Sequence, residues 1–367
     1  MKIPLIDLEA QYATLRPEVD ERVAEVLATA SFIGGPEVTA FTEAFAAYAG
    51  HPYAVGCGNG TDALELLLDA WEIGRGDEVI VPAMSWISSS EVVATRGAKP
   101  VFVDIDPLTY CIDPGLVEAA VTPRSRAIIA VHLYGHPAEL TALREIADRH
   151  GLYLIEDSAQ AHGARWEGRH IGTVGDAATY SFFPSKSLGA YGDAGLVGCA
   201  SGELCTRVRA LANHGMPGRR HYHTYHGRNS RLDALQAAVL NVKLPRLTGW
   251  IAAKNQLADG YRERLAGTDL VLPQTMGPAY HGYHLFVVRT PARDALADHL
   301  ERAGIATTVH YPTALPLHAC YAGEGYRAED YPVAVELSQT ALSLPMFAEL
   351  TEGQLDYICE QIRSFYA

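Results

Sequence analysis

A lysine that directly follows an apolar stretch has the clearest potential for chemistry in this sequence. Lys186 comes two residues after Pro184, where a run with the pattern of a buried strand ends. When a lysine amine is withdrawn from water, its ammonium form is disfavoured, its pKa falls, and the free amine can attack an aldehyde to form a Schiff base. Most lysines are solvated surface residues, so this chemistry is favoured only if other parts of the chain support it.

A glycine-rich turn earlier in the chain offers a place for a phosphate group. Glycines at positions 56, 58 and 60 precede a predicted helix that begins near Thr61. The unpaired N–H groups at the start of a helix, the helix dipole and the Thr61 hydroxyl together suit a phosphate. The alternative is an ordinary glycine turn in which Thr61 or Asp62 caps the helix.

Two further side chains with suitable chemistry also follow predicted strands. Trp86 lies at the turn after the strand at 78–82, and Asp157 follows the strand at 152–156, with the Gln160 amide close behind it. An indole face could stack on a planar ligand, and a carboxylate could pair with a protonated ring nitrogen. The alternatives are a tryptophan buried in the core and an aspartate that caps a turn.

Together these features match what pyridoxal phosphate requires from a protein. This cofactor needs a lysine that can form an imine, a carboxylate for its ring nitrogen, an aromatic plane and a phosphate site. In parallel sheets, ligands bind beyond the carboxyl ends of the strands, and all four features are predicted at such positions. Their coincidence predicts a pyridoxal phosphate site built around Lys186.

Apolar runs alternate with amphipathic stretches from residue 53 onward, which predicts an α/β fold with a mostly parallel sheet covered by helices. The predicted strands are residues 78–82, 100–104, 126–133, 152–156, 177–183 and 195–199. The predicted helices among them are residues 61–73, 86–97, 114–121, 138–150 and 203–213. After about residue 250 the pattern becomes that of a smaller α+β domain, with a helix at 250–266, strands near 283–289 and 305–309, a helix at 291–303 and two closing helices. We therefore expect a large domain over residues 1–249, including an N-terminal arm, and a small C-terminal domain over residues 250–367.

The composition indicates an ordinary folded protein and excludes some partners. Hydrophobic residues make up 48% and charged residues 20% of the 367 residues, both near the averages for soluble proteins. The net charge of −14 argues against a nucleic-acid partner, because phosphate backbones require a basic surface. The first residues do not resemble a secretory signal and no apolar run reaches membrane-spanning length, so we expect a cytoplasmic protein without a membrane partner.

One segment is strongly basic in this acidic chain. Residues 204–232 contain no aspartate or glutamate, but they contain six arginines and four histidines. The histidines at 221, 223 and 226 have no nearby cysteine or acid to complete a set of metal ligands, and the cysteines of the chain are scattered. We therefore expect no metal site, and we expect this segment to receive an anionic ligand.

Four motifs in a fixed order resemble a known family. They are Gly-Asn-Gly-Thr-Asp-Ala-Leu at 58–64, Glu-Asp-Ser-Ala-Gln-Ala-His-Gly at 156–163, Ser-Phe-Phe-Pro-Ser-Lys-Ser-Leu-Gly at 181–189 and Gly-Arg-Asn-Ser-Arg-Leu-Asp-Ala-Leu-Gln-Ala-Ala at 227–238. This order is similar to that of the nucleotide-sugar aminotransferases of the DegT/DnrJ/EryC1/StrS family, over nearly the whole chain. The resemblance implies the aspartate-aminotransferase-like fold called fold type I, a homodimer with shared active sites, and pyridoxal phosphate bound to Lys186.

The resemblance also implies roles for the residues around the cofactor. Asp157 would hold the pyridinium nitrogen, Gln160 would bond the phenolic oxygen and Trp86 would stack on the ring. The phosphate would be held by Gly60, Thr61 and Ser181 of one subunit and by Asn229 of the other.

Residues that contact the substrates follow from the same comparison. Arg231 would help to bind the carboxylate of the amino donor, and His310 and Tyr311 match a pair that lines the substrate site in some members. The nucleotide diphosphate is strongly anionic, so arginines of the basic segment could receive it; the candidates are Arg219, Arg220 and Arg228.

The reaction implied is a ping-pong transfer of an amino group from glutamate, or glutamine, to a keto group of a nucleotide-linked sugar. The form Lys-x-Leu-Gly-x-x-Gly-Asp-x-Gly at 186–195 resembles members that aminate C3 more than those that act at C4, although Ala194 replaces the usual glycine. The alternatives are a 4-keto nucleotide sugar, a cyclitol ketone, and a non-catalytic binding or regulatory protein that keeps the fold. A regulatory protein would be expected to lose Lys186, Asp157 or Asn229, and all three are present.

Overall fold

A mostly parallel sheet lies at the centre of the chain, as the alternation of strands and helices predicts. The computed structural model describes residues 1–219 and 221–367. The strands there are β1 (Tyr53–Cys57), β2 (Glu78–Pro82), β3 (Lys99–Val103), β4 (Ser125–Val131), β5 (Tyr153–Asp157), β6 (Arg165–Trp166), β7 (Arg169–His170), β8 (Ala177–Ser181), β9 (Gly195–Cys199), β10 (Ala279–Tyr280), β11 (Phe286–Arg289) and β12 (Ala341–Leu344). The central sheet has the order β1-β9-β8-β5-β4-β2-β3. Its strands β2, β3, β4, β5 and β8 pair in parallel, whereas β9 is antiparallel to both of its neighbours.

Helices cover this sheet and link its strands. They are α1 (Leu8–Thr29), α2 (Gly35–Ala49), α3 (Gly60–Ala70), α4 (Ser88–Thr95), α5 (Pro114–Ala120), α6 (Leu140–His150), α7 (Gly202–Ala212), α8 (Ala234–Lys243), α9 (Leu247–Leu265), α10 (Arg293–Arg302), α11 (Pro332–Thr340) and α12 (Glu352–Tyr366). Strand residues such as Ile80 and Ile128 are fully buried, because a parallel sheet with helices on its faces exposes little of its strands. None of the described helices is long and apolar enough to cross a membrane.

The parallel arrangement brings distant parts of the sequence to one edge of the sheet. Strands β2, β4, β5 and β8 point the same way, so their carboxyl ends meet at that edge. Trp86 follows the first of these strands, Asp157 ends the third, and Lys186 follows the last. The sheet therefore collects the residues that the sequence placed after separate strands.

Most of the predicted elements form close to their predicted bounds, but the predicted strand at 305–309 does not. In its place Ile305 bridges Ile3 and Thr308 bridges Ser343, each as an isolated pair. The second strand of the small sheet is instead β12, which pairs antiparallel with β11. No strand was predicted from the sequence at the position of β12.

The predicted domain boundary after residue 249 falls inside helix α9. Leu247 and Ile251, near the start of this helix, pack into the large hydrophobic cluster around the central sheet. From Leu257 onward the helix packs into a second cluster with α10, α12 and Ile3 of the N-terminal arm. The division into two domains remains a prediction, and this packing favours a boundary within α9 rather than between two elements.

Candidate active site

Lys186 lies in the loop after β8, at the carboxyl-end edge of the central sheet. Its backbone N–H donates to the Phe183 carbonyl at 2.8 Å, which fixes the loop as it leaves the strand. The side chain is half-buried, and burial lowers the pKa of its ammonium to about 8, opposed by the nearby Asp157 carboxylate. The free amine, which a nucleophile or a general base requires, is therefore far more populated near neutral pH than in an ordinary lysine.

Asp157 is a buried carboxylate at the end of β5. It is 6% exposed, its Oδ1 accepts from the Ala159 N–H at 3.2 Å, and its Oδ2 accepts from the Ser89 hydroxyl at 3.3 Å. Burial raises its pKa, against these hydrogen bonds and the Lys186 charge. Among the residues that the structure describes, Asp157 forms no ion pair. A buried carboxylate without an ion-pair partner is suited to a protonated ring nitrogen.

Gln160 is held at the same edge by two hydrogen bonds. Its Oε1 accepts from the Tyr134 N–H at 2.8 Å, and its Nε2 donates to the Tyr311 hydroxyl at 2.9 Å. The Tyr134 hydroxyl donates to the His310 carbonyl. The segment at 310–311, from the C-terminal part of the chain, therefore contacts the edge of the central sheet.

His310 is a neutral imidazole at this edge. Its Nδ1 is 2.8 Å from the Ser343 hydroxyl, and burial, followed by the charge of Lys186, lowers its pKa to about 4. The structure thus brings Lys186, Asp157, Gln160, His310 and Tyr311 together within one chain.

Helix α3 begins at Gly60, where a phosphate site is predicted, and its cap differs from the one named in the alternative interpretation. The Asn59 side chain, and not Thr61 or Asp62, caps the helix by accepting from the Asp62 N–H at 2.8 Å. The Thr61 hydroxyl is 2.7 Å from that of Ser88. Asn is among the best capping residues because its short side chain reaches the free N–H groups, so its place before Gly60 could have been read from the sequence.

Gly60 faces Ser181 of β8 across this turn. A Cβ atom added at Gly60 would lie 2.7 Å from the Ser181 Cβ, which is closer than two carbon atoms can approach. The position therefore requires glycine, and it keeps the start of α3 next to the end of β8. These two residues and Thr61 are brought together as predicted.

Trp86 projects from the turn between β2 and α4. Its side chain is 56% exposed, and its ring centroid lies 5.9 Å from that of Tyr311 with the planes tilted by 49°. The alternative of a tryptophan buried in the core is therefore wrong, and more than half of the side-chain surface is accessible to a ligand.

The residues predicted to reach a second subunit flank Ser230, whose hydroxyl accepts from the Gly58 N–H at 3.0 Å and donates to Asp62 of α3 at 2.6 Å. Asn229 is exposed and bridges to Asn213. The Arg231 Nη1 donates to the Asn213 side chain at 3.4 Å, and Arg231 lines a cleft of about 790 Å³ that also contains Arg209. Both residues therefore lie beside the turn before α3, and among the described residues neither of them is joined to Lys186 or Asp157 by a hydrogen bond or an ion pair.

The predicted diphosphate arginines differ in their surroundings. Arg219 is exposed, with its guanidinium 5.9 Å from the ring centroid of Tyr222. Arg228 forms ion pairs with Glu65 and Asp69 of α3, so its charge is largely compensated and it is a weak candidate for an anionic ligand. Arg220 lies outside the described residues.

Two buried lysines that the sequence analysis did not identify support the loop that carries Lys186. Lys254 of α9 donates to the Ser187 hydroxyl at 2.8 Å, and Lys243 of α8 donates to the Gly189 carbonyl at 2.8 Å. Both side chains are almost completely buried, and burial lowers the pKa of each to about 8. The only indication of these two buried lysines in the sequence is that each occupies a helix position that faces the core.

No described group of three or more His, Cys, Asp or Glu side chains could hold a metal ion.

Known proteins resemble this chain over nearly its whole length. A protein of Geobacillus stearothermophilus named Pleiotropic regulatory protein is 45% identical over 369 residues, covering 100% of this chain and 99% of that protein. The dTDP-3-amino-3,4,6-trideoxy-alpha-D-glucose transaminase of Streptomyces venezuelae is 44% identical over 365 residues, covering 99% of this chain and 96% of that protein. Similarity of this extent indicates a shared fold from end to end.

Comparison with solved structures gives the same result. The X-ray crystal structure of S. venezuelae DesV in complex with a ketimine intermediate has a TM-score of 0.97 and 44% identity, covering 100% of this chain and 98% of that chain. The α/β fold expected from the sequence is confirmed by this match. The DegT/DnrJ/EryC1/StrS aminotransferase family matches residues 13–363. The chain therefore belongs to the DegT/DnrJ/EryC1/StrS aminotransferase family.

Proposed function

We propose that this chain is a pyridoxal phosphate-dependent aminotransferase that moves an amino group from glutamate to the C3 keto group of a nucleotide-linked sugar. Its family membership places it among sugar aminotransferases. The observation that carries the proposal is the pairing of Lys186, whose pKa is about 8, with the buried carboxylate of Asp157 at one edge of the sheet. An imine-forming amine and a carboxylate that can hold a ring proton are the two groups that this chemistry needs most.

The side chains present fit pyridoxal phosphate. Asp157 is a buried carboxylate without an ion-pair partner among the described residues, and it is suited to the protonated ring nitrogen. The close approach of Gly60 to Ser181 leaves a narrow cradle at the start of α3, where free N–H groups and the Thr61 hydroxyl can hold a phosphate. The exposed face of Trp86 is available to stack on the ring.

When bound, pyridoxal phosphate supplies an electron sink that stabilises negative charge on the carbon losing its proton. Lys186 would act as the general base that takes this proton on Nζ and as the general acid that delivers it to the cofactor. A lysine pKa near 8 favours both roles, because the amine can exist in either form near neutral pH. Asp157 would keep the ring nitrogen protonated throughout.

The order of events that we propose is ping-pong, with glutamate rather than glutamine as the donor. The donor reacts first and its keto acid leaves, after which the sugar ketone enters the same site and receives the amino group. Lys186 would serve both halves, since each requires a proton to move between the same two positions.

Amination at C3 is supported by two observations. The segment from Lys186 to Gly195 resembles C3-aminating members more than those that act at C4. The transaminase of S. venezuelae, 44% identical, is named for a 3-amino sugar. The alternatives, a 4-keto nucleotide sugar or a cyclitol ketone, would use the same residues.

A substrate screen tests this function. Purified holoenzyme is mixed with glutamate and a panel of 3-keto nucleotide sugars, 4-keto nucleotide sugars and keto-cyclitols, and transfer of ¹⁵N from glutamate to the sugar is followed by mass spectrometry. We expect transfer to a 3-keto nucleotide sugar. Transfer only to a 4-keto sugar or a cyclitol would contradict the C3 assignment, and a colourless protein that takes up no pyridoxal phosphate would contradict the proposed function itself.

A regulatory function is the second candidate, because the relative from G. stearothermophilus is named as a regulatory protein. Retention of Lys186 and Asp157 in a site that fits the cofactor favours the enzyme. The same screen distinguishes the two, since a regulatory protein that only keeps the fold would bind pyridoxal phosphate without transferring nitrogen to any ketone.

We also propose a homodimer in which Asn229 and Arg231 complete the site of the partner subunit. Within one chain Asn229 is exposed, and Arg231 lines a cleft whose lining does not include Lys186. The family resemblance implies that Asn229 would contact the phosphate, and Arg231 the donor carboxylate, of the other chain.

Hybrid dimers should reveal the shared site. Inactive Lys186→Ala chains and impaired Asn229→Ala chains, unfolded together and refolded as a mixture, should regain about a quarter of the wild-type activity, because half of the dimers would contain one intact site. Each variant refolded alone is the control. A mixture no more active than its two components would contradict a site made from two chains.

The arginines of the basic segment are proposed to bind the nucleotide diphosphate. Replacing Arg219 and Arg220 together by alanine should raise KM for the sugar nucleotide by about tenfold, as expected for loss of a charged hydrogen bond. KM for glutamate should not change. Arg228→Ala is the matched comparison, because its ion pairs with α3 predict lower stability with less effect on KM. Equal changes in both KM values for the double variant would refute the assignment.

A further inference from the structure

We infer that Tyr311 is a positioning residue, which together with the backbone of Tyr134 fixes the Gln160 amide so that it can only donate a hydrogen bond to the cofactor. This inference rests on the proposed function, in which Gln160 contacts the phenolic oxygen of pyridoxal phosphate. The resemblance predicts that Tyr311 lines the substrate site, and in the structure the Tyr311 hydroxyl accepts from the Gln160 amide.

The contact with Tyr134 determines which end of the amide is the oxygen. An amide side chain has one acceptor and two donors, and its two ends are told apart by their hydrogen-bond partners. The Tyr134 backbone N–H can only donate, and it lies 2.8 Å from Oε1 of Gln160. Turning the amide over would place two donors against each other. The Oε1 end is therefore occupied, and the NH₂ end is the one available to other groups.

Tyr311 determines how the NH₂ end is used. Its hydroxyl accepts one N–H of Nε2 at 2.9 Å, which leaves the other N–H without a partner among the residues that the structure describes. Burial, followed by the charge of Asp157, raises the pKa of Tyr311 well above the ordinary tyrosine value, so the hydroxyl stays protonated. The phenol is therefore uncharged, and its oxygen accepts the hydrogen bond from Gln160.

The segment that carries Tyr311 is itself fixed to the sheet edge. The Tyr134 hydroxyl donates to the His310 carbonyl, and the His310 imidazole is 2.8 Å from the Ser343 hydroxyl. Tyr134 thus contacts both the amide of Gln160 and the backbone next to Tyr311. With the peptide bond between His310 and Tyr311, these hydrogen bonds form a closed loop of four residues and keep the amide plane from rotating.

An amide that can only donate has a defined effect on the cofactor site. A donor at the phenolic oxygen stabilises negative charge there. It therefore lowers the pH at which the bound cofactor of the resting holoenzyme loses the proton that controls its absorbance. Removing or turning away this donor should raise that pH. A hydrogen bond to a charged group accounts for about one to two pH units.

A double-mutant cycle on the holoenzyme tests this inference, with the pH midpoint of the absorbance change as the readout. Gln160→Ala should raise the midpoint by about one to two pH units, and Tyr311→Phe by up to about one. In the Gln160→Ala background, Tyr311→Phe should give no further rise, because the hydroxyl acts only through the amide. Gln160→Glu should also raise the midpoint, since a carboxylate still accepts from Tyr134 and Tyr311 but offers no donor.

Tyr326→Phe is the matched control. Its hydroxyl donates to the Pro100 carbonyl at 2.7 Å, away from the site, so the same chemical change should leave the midpoint unaltered. A Tyr311→Phe shift that is equal in both backgrounds, or that is absent while KM for the sugar rises, would overturn the positioning role. A wild-type protein that binds no cofactor overturns the proposed function, and this inference with it, so the two failures are distinguishable.

Discussion

Replacing Lys186 by alanine should reduce transamination by at least about 10⁴-fold, because it removes both the covalent anchor of the cofactor and the group that moves the proton. General acid–base catalysis alone accounts for about 10²- to 10⁴-fold. The wild-type protein should be yellow, and borohydride should bleach it by fixing the cofactor to Lys186. The alanine variant should bind the cofactor without covalent attachment, so dialysis should remove it and tryptic peptides should carry no adduct.

The structure provides a matched control for this experiment. Lys99 is an exposed lysine at the start of β3, on the edge of the sheet opposite the site. Lys99→Ala should keep both the adduct and the activity. An adduct that remains in the Lys186→Ala variant on another lysine, or sustained turnover by that variant, would contradict the role given to Lys186.

The cofactor site could be predicted from the sequence because its parts follow strands of one sheet. Lys186 and Asp157 are marked by the strands that precede them, and the parallel order of β5 and β8 brings them to the same edge. The sequence shows the side-chain chemistry of these residues and their positions after the strands. The parallel pairing of the strands then brings the two side chains close together.

The residues that support the site could not be predicted in this way. Ser89 contacts Asp157 across 68 positions of sequence, and Tyr311 contacts Gln160 across 151. Such contacts depend on the packing of a helix or a loop against the sheet edge, and no local pattern specifies them. The buried Lys254 is a similar case, because its position shows only that a charged residue lies on a helix, whereas its bond to Ser187 depends on the fold.

The predicted strand at 305–309 shows the limit of local propensity. An apolar, β-branched run favours a strand, but a strand also needs a neighbour along its length. Thr308 and Ile305 each find a single partner, in Ser343 and Ile3, and the ladder does not extend. Pairing in this part of the chain is taken by β11 and β12 instead.

Replacing Asp157 by asparagine should have opposite effects on catalysis and on the stability of the cofactor-free protein. The amide has the same shape but cannot hold a proton on the ring nitrogen. Losing one partner of a buried charged pair costs about 3–5 kcal/mol, which corresponds to roughly 10²- to 10⁴-fold in rate. Steady-state kinetics with glutamate and the keto sugar would measure this loss.

The apoprotein should respond in the other direction. Burial raises the pKa of Asp157 above the ordinary value of 3.8, so the folded apoprotein loses stability as the pH rises from about that value through the folded-state pKa. The asparagine variant avoids this loss. Its hydrogen bonds can be kept, since Ser89 can accept from the new amide and donate instead to Ser85, 2.9 Å away.

At neutral pH the apo form of Asp157→Asn should therefore melt at a higher temperature than the wild-type apoprotein. Below about pH 3.8, where the aspartate is protonated in both states, the two melting temperatures should converge. Adding pyridoxal phosphate should stabilise the wild type more than the variant, because only the wild type gains a charged partner for the ring nitrogen. Asp148→Asn, at an exposed carboxylate of α6, should change neither activity nor the response to cofactor. An Asp157→Asn apoprotein that melts lower at neutral pH would show that the carboxylate is compensated before the cofactor binds, and the site would then have no need of a protonated ring nitrogen.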